Sequence, residues 1–424
     1  MTSRGRLLVF LILFWACSDT ALSAEPMRAL AMGTVLPQDT PVFHWCEEDP
    51  LCTITVIPTR LGGSSYEPEE AQRLIRLYFP RRLDETTIDC LLFSAGDVVH
   101  FTTSQIASMI RGVERGVGAV ADCGGTSAIQ MFIDSWVASG IGAIFPNDVF
   151  AVTSARYSFQ TAGFPRYYLE GVPYEIRVNE GVEGNPFSPF VTVGIEGIRG
   201  YAGRNMIPKQ GSTELATMIG NQGFLKLDPP FSLYWQYQAG RTLTVSEWFG
   251  HPFWGDYGGI DIHISENPFG RELFYNLLLY CTDRPIFRDI LMIYETKEGF
   301  EEYRVLRSSV ISAMEFASKF GANLDSVDEA LGSIEGEKRI ADQLYIDGEY
   351  QRSWEKIEAC TDELNIAFQM TLELKDRALI YVYLIEWLAV TGTMGLTGSV
   401  LYMLMIRRRV YRRAGTTSTM RTTK

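Results

Sequence analysis

Residues 88–94 (IDCLLFS), 102–116 (TTSQIASMIRGVERG) and 117–121 (VGAVA) decide how the chain reads. The first is a near-continuous apolar run of strand length. The second is amphipathic, with Ile106, Ile110 and Val113 on one face and Gly116 to stop it. The third is again short and apolar. Strand, helix and strand in succession predict parallel strands under a covering helix, because a parallel pair needs a crossover connection. Upstream, Cys52–Pro58 (CTITVIP) is β-branched and predicts a strand. Glu67–Tyr78 predicts a helix, with Pro68 suited to its first turn. Residues 25–50 show no clear period and read as a leader segment. Downstream, Cys123-Gly124-Gly125 makes a tight turn into a further helical segment.

The character changes over 145–245, where aromatic residues, Pro and Gly are dense and helical patterns are weak. Strands and long loops are expected there. Gly240–Val245 reads as a turn into a final strand and Phe269–Leu279 as a helix against the sheet. After Pro285 proline disappears and charged helix formers rise. Val327, Leu331, Ile334, Ala341 and Tyr345 form one stripe; Tyr350, Trp354, Ile357, Thr361, Leu364 and Phe368 form another. The turn Asp347-Gly348 divides them, which predicts an antiparallel helical hairpin over 286–376. The segment LYIDGEYQRSWEKIEA resembles one tetratricopeptide-like unit, and one unit does not make a solenoid.

Both ends carry membrane signals. Arg4 and Arg6 precede a short apolar run, Leu7–Ala16, and small residues follow to Ala24. That layout is a secretory signal over 1–24, too short in its apolar part to span a bilayer well. An uncleaved anchor, or a lipoprotein box at Cys17, are the alternatives. Trp387–Ile406 is 20 residues without a charge, about 30 Å as a helix and so the thickness of the hydrocarbon core. The second hairpin helix is expected to run on into it, giving a transmembrane segment at 379–406. Arg407, Arg408 and Arg409 open a basic tail, 407–424, which marks the cytoplasmic side. Both signals predict a single-pass protein of the cell membrane, N-terminus outside and C-terminus cytoplasmic. Glu386, beside Trp387, reads as an interfacial residue or as a buried partner contact.

The net charge is −13; the leader carries +1 and the tail +7, which leaves −21 on everything between. So acidic a body excludes nucleic acid as a natural partner. Between leader and anchor lie about 350 residues, enough for one large core or two domains. Aromatic residues at 12% exclude a disordered stalk. Of seven cysteines, Cys46 and Cys52 flank a short acidic segment and are a candidate disulfide in an oxidising compartment. Cys90, Cys123, Cys281 and Cys360 follow no spacing code, and only four histidines occur, so a structural zinc site is not expected. No Asn-x-Ser/Thr sequon occurs, which disfavours a glycosylated ectodomain.

About half the chain, roughly residues 50–285, resembles the class I glutamine amidotransferase-like domains, closest to their membrane-associated prokaryotic members. Ile88–Ser94 with Ser104–Gly116, Ala121-Asp122-Cys123-Gly124-Gly125, and Gln238–Arg241 with Leu243–Val245 carry the resemblance. It implies a flavodoxin-like α/β domain over 25–285 with its nucleophile elbow at Cys123. A thiol at a strand-to-helix turn is exposed and has its pKa lowered by the helix N-terminus. Ala121 stands where the family has its first glycine.

The family's base and orienter are a His-x-Glu pair after the late strand. Here Ser246-Glu247-Trp248 stands there instead; His251 precedes Pro252, and His263 has Glu266 three residues on. The expected triad, Cys123 with His263 and Glu266, is therefore out of frame. Cys123 also fits a small buried residue in a turn. Cys90, on a neighbouring strand, is a candidate disulfide partner for it. His251, His263, Asp256, Asp261 and Glu266 read either as a metal cluster or as loop polar groups around Trp248, Phe249, Phe253, Trp254 and Tyr257. Of these aromatics, Trp248, Phe253, Trp254 and Tyr257 are a candidate binding surface, or the sealed bottom of the domain. The phosphate-loop signature is absent, and no cofactor or metal is expected. The sequence thus favours a non-catalytic, extracytoplasmic domain that binds a ligand or a protein partner. An extracytoplasmic cysteine hydrolase or amidase using Cys123 with His251 or His263 is the rival. A subunit of a membrane complex, joined through stalk or membrane helix, is the third reading.

Overall fold

The computed structural model describes residues 24–34, 41–61, 64–65, 67–94, 98–122, 136, 138–148, 174–200, 206–220, 230–250, 252–254 and 267–419. They form two units, Met1–Lys297 with Asp342–Ser353, and Glu298–Ala341 with Trp354–Lys424.

The first unit is built on one mixed sheet. Its parallel half comprises β1 (Met27–Thr34), β2 (Cys52–Leu61), β4 (Cys90–Ser94), β5 (Gly118–Asp122) and β10 (Gly240–Val245). They lie in the order β2-β1-β4-β5-β10. β3 (Ser64–Ser65) adds antiparallel to β2. Beyond β10 the sheet turns antiparallel through β9 (Pro230–Tyr237), β8 (Thr213–Gly220), β6 (Tyr174–Val178) and β7 (Arg199–Gly200). The expected parallel sheet is thus one half of a larger mixed sheet, whose other half is antiparallel. The parallel strands alone follow the doubly wound order 2-1-3-4-5, whose direction of winding reverses between β1 and β4.

Local chemistry accounts for most of these elements. α1 (Pro41–Glu48) precedes β2, and α2 (Pro68–Tyr78) starts on a proline, which has no N–H to leave unsatisfied. α3 (Thr103–Glu114) opens on a capping box: Gln105 N donates to Thr102 Oγ1 at 3.3 Å, and Thr102 N donates to Gln105 Oε1 at 2.9 Å. Such a cap contributes about 1 kcal/mol. Gly116, at φ +123°, stops the helix in a conformation that side chains disfavour. Ile106, Met109 and Val113 then pack with Leu91, Phe93 and Ala119 of the sheet.

β1 corrects the reading of 25–50 as a leader segment: its residues 27–34 are an interior strand, paired with β2 along its length and with β4 over Ala29–Gly33. α4 (Ser188–Val191) is a single turn. α5 (Gly270–Cys281) packs on β5 and β10. Glycines allow the closest approaches. A Cβ at Gly118 would sit 2.5 Å from Cys281 O, and one at Gly270 would sit 2.1 Å from Trp254 O.

The second unit is helical. α6 (Ile290–Lys319) joins α7 (Asp325–Ile346) and α8 (Tyr350–Thr419), each of which crosses between the units in sequence. Tyr303 and Val310 of α6 share a core with Val327, Ile334 and Ala341 of α7 and with Ile357 and Leu364 of α8. The expected two-helix hairpin is therefore a three-helix arrangement. The α7 and α8 stripes are the predicted ones, and α6 supplies the third face. Arg307–Glu335 and Lys356–Glu337 pair across helices at the surface.

α8 is one uninterrupted helix of 70 residues, about 105 Å long. Its C-terminal part is long and apolar enough to cross a membrane, and none of that stretch is buried. Trp387 and Met394 are 66% and 72% exposed. Arg407, Arg408 and Arg409 come next on the same helix, also exposed.

Candidate functional site

In a parallel sheet wound in both directions, ligands bind outside the carboxyl ends of the strands. Here β4 ends in Ser94 and β5 in Asp122, and β10 runs on into Ser246 and Glu247. All four side chains are buried, and Ser94 and Asp122 each close a short apolar run. Ser94 Oγ donates to Asp122 Oδ2 at 3.0 Å, and Phe249 N donates to the same oxygen at 3.1 Å. One carboxylate oxygen thus ties the ends of two parallel strands to the segment after a third. Charge-assisted bonds of this kind are about twice as strong as neutral ones.

Beside it the Tyr174 hydroxyl donates a short hydrogen bond to Glu247 Oε2. Burial first, then the neighbouring Glu247, pushes the Tyr174 phenol well above its ordinary range. Thr244 Oγ1 donates to Asn147 Oδ1 at 3.1 Å. Ser246 N donates to Phe231 O at 2.7 Å, and Ser246 Oγ donates to Met218 Sδ at 3.4 Å. The edge is a polar floor under an otherwise apolar sheet. Chemically its oxygens can accept hydrogen bonds from a polar group.

Cys123, the expected nucleophile, directly follows this floor but lies outside the described residues, as do His251, Asp256, Tyr257, Asp261, His263 and Glu266. Phe253 and Trp254 are 2% and 0% exposed, and Trp248 is half-buried. Phe253 and Trp254 are therefore core rather than an open binding surface. Phe253 stacks edge-on to Phe231, and Phe249 packs against Trp254 and Phe274.

The candidate Cys90–Cys123 pair includes Cys123, which lies outside the described residues; Cys90 itself pairs in register with Gly118, at the opposite end of β5 from Asp122. Cys46 and Cys52 are close, but they are free thiols in hydrogen-bond contact rather than a disulfide. Cys90 and Cys281 are free and buried too, and burial raises both thiols. Among the described residues no group of His, Cys, Asp and Glu is arranged to hold a metal ion.

No family model matches the chain, and no curated protein matches it either. Among solved structures it is similar to two cytoplasmic proteins of Salmonella typhimurium. STM3548 matches with a TM-score of 0.39 and STM1381, of strain LT2, with 0.41; both are 13% identical, over 60% of this chain and 99% of theirs. The exo-beta-1,4-mannosidase Op5Man5 of Opitutaceae bacterium strain TAV5 matches at 0.26 and 12% identity, over 57% of this chain and 34% of its own. Likenesses this weak transfer neither activity nor partner.

A second polar cluster has no counterpart in the sequence pattern. Lys297 is 4% exposed and its Nζ lies 3.2 Å from Asp49 Oδ2 and 3.9 Å from Glu272 Oε1. The ammonium also stands 3.5 Å from the centre of the Tyr275 ring, close enough for a cation–π contact. Tyr345 OH donates to Asp49 Oδ2 at 3.3 Å, and Arg271 Nε donates to Glu272 Oε1 at 3.1 Å. Burial lowers the Lys297 ammonium from its ordinary value, and the two carboxylates only partly offset it.

Ser94 and Asp122 had a sequence signal, a polar residue closing a short apolar run. Lys297 had none, because a lysine among helix formers reads as a solvated face.

Proposed function

We propose that the chain is a single-pass membrane protein that holds an amidotransferase-like α/β domain outside the cytoplasm. There the carboxyl edge of the parallel strands binds a polar ligand or a partner protein without catalysis. The observation that carries the reading is the run of α8 from its helical core into an unburied apolar stretch closed by Arg407–Arg409. Exposed to water, such a stretch is an aggregation hazard; in a bilayer each apolar side chain is favoured. The arginines favour a cytoplasmic C-terminus, and the leader favours export of the α/β domain behind it.

The test is fractionation followed by protease treatment of intact cells. The reading expects the chain in the membrane fraction after alkaline carbonate, with the α/β domain digested from outside and a C-terminal tag protected. Release by carbonate, or protection of the α/β domain, overturns it.

Cysteine hydrolysis is the second reading, favoured by one observation: β5 ends in Asp122 at the sheet's carboxyl edge, and Cys123 is the next residue in sequence. An apparent thiol pKa clearly below about 8.5 in an iodoacetamide titration of Cys123 selects this reading. An unreactive Cys123 selects the binding domain.

A further inference from the structure

Ala24, just before β1, is tied down. Ala24 N donates to Asp347 Oδ1 at 2.9 Å. Gln343 Nε2 donates to Ala24 O at 3.3 Å and to Asp347 Oδ1 at 3.0 Å. Arg284 Nη1 donates to Glu25 O at 2.7 Å, and Met27 N then donates to Leu51 O as β1 begins. All of these residues belong to the first unit. Asp347 sits in the turn between α7 and α8, next to Gly348 at φ +83°. Among the described residues, both donors that reach its Oδ1 are uncharged amides as the chain stands.

The residues before Ala24 supply the other half of the argument. Signal cleavage requires small residues at the first and third positions before the cut. A cut after Ser23 places Ser23 and Ala21 there, both small. A cut after Ala24, the boundary expected from the leader's layout, places the bulky Leu22 at the third position.

We propose that the leader is cleaved between Ser23 and Ala24, and that the new α-ammonium of Ala24 is seated on the Asp347 carboxylate. This rests on the extracytoplasmic reading above. Hydrolysis of the Ser23–Ala24 bond by a membrane signal peptidase consumes one water. Ser23 takes the carboxylate, and the Ala24 amine takes a proton to become the ammonium. The hydrogen bond that Ala24 N makes then becomes an ion pair. The end of the mature chain is thereby fixed at the entrance to β1, an interior strand. A chain cut one residue later loses both the donor to Asp347 and the acceptor for Gln343.

The experiment is intact-mass and N-terminal peptide analysis of the full-length protein purified from membranes. A mature chain starting at Ala24 is expected. A start at Glu25, or at a lipidated Cys17, overturns the seat while leaving export intact. An unprocessed Met1 start overturns both the cleavage and the seat, and the protease accessibility of the α/β domain then decides export. The seat has its own readout in the rate at which an amine-reactive ester labels the α-amine at pH 7. Asp347→Asn is expected to speed labelling about two- to fivefold, the size of an exposed ion pair. An unchanged rate overturns the seat.

Discussion

Replacing Lys297 by methionine is the most informative single change in the first unit. The substitution keeps the length of the stem and removes the ammonium. It leaves Asp49 and Glu272, whose side chains are 8% and 1% exposed, facing each other's surroundings without the cation. Breaking a buried ion pair from one side costs about 3–5 kcal/mol, because the remaining charge stays desolvated. At about 2–4 °C per kcal/mol, the melting temperature falls by about 6–20 °C, toward the low end for a domain this large. Circular-dichroism melts of the detergent-solubilised full chain measure it.

Adding Asp49→Asn and Glu272→Gln to Lys297→Met is expected to restore part of the loss, since the cost is in carboxylates left without the ammonium. The pH dependence has a definite sign. The folded ammonium has a pKa below the unfolded lysine's, about 10.4, so in the window between the two the unfolded chain binds more protons. In that window the wild type therefore gains stability as pH rises, and Lys297→Met, which lacks the group, does not. A Lys297→Met protein within about 0.5 kcal/mol of wild type refutes the reasoning, because that is the range of an ordinary surface change.

Three further outcomes rest on close contacts, burial and charge. Gly270→Ala puts a Cβ 2.1 Å from Trp254 O, so backbone must part; about 1–3 kcal/mol of destabilisation is expected in the same melts. Iodoacetamide at pH 8 is expected to leave Cys90 and Cys281 unmodified until denaturant is added, since burial raises both thiols; rapid native labelling of either refutes their placement. Changing Arg407, Arg408 and Arg409 to glutamate removes most of the orientation signal, so a C-terminal tag becomes accessible to external protease in part of the population. A tag that stays fully protected refutes the role given to the arginines.

The elements that the sequence revealed are those whose stabilisation is local. β4 and β5 are unbroken apolar runs, α3 carries its own cap at Thr102 and its own stop at Gly116, and α2 carries its proline. β1 was hidden because its residues, Met-Arg-Ala-Leu-Ala-Met-Gly-Thr, include alanines and a glycine that disfavour strands. What makes it a strand is its neighbours on both sides, together with the Arg28–Asp89 ion pair at 2.8 Å where it begins. The antiparallel half of the sheet suffers the same way, since pairing between β6 and β8 joins distant segments and leaves no local period. In the site the division is equally physical. Ser94 and Asp122 are betrayed by their position at the ends of apolar strands, because a polar group ending such a strand must find a partner at the edge. Lys297 finds its partners, Asp49 and Glu272, only after the sheet and α5 have brought them together, so no window along the chain contains the reason it is buried. Buried residues whose cost is met by distant partners are for that reason where single substitutions do most damage, and Asp122 and Lys297 are two of them.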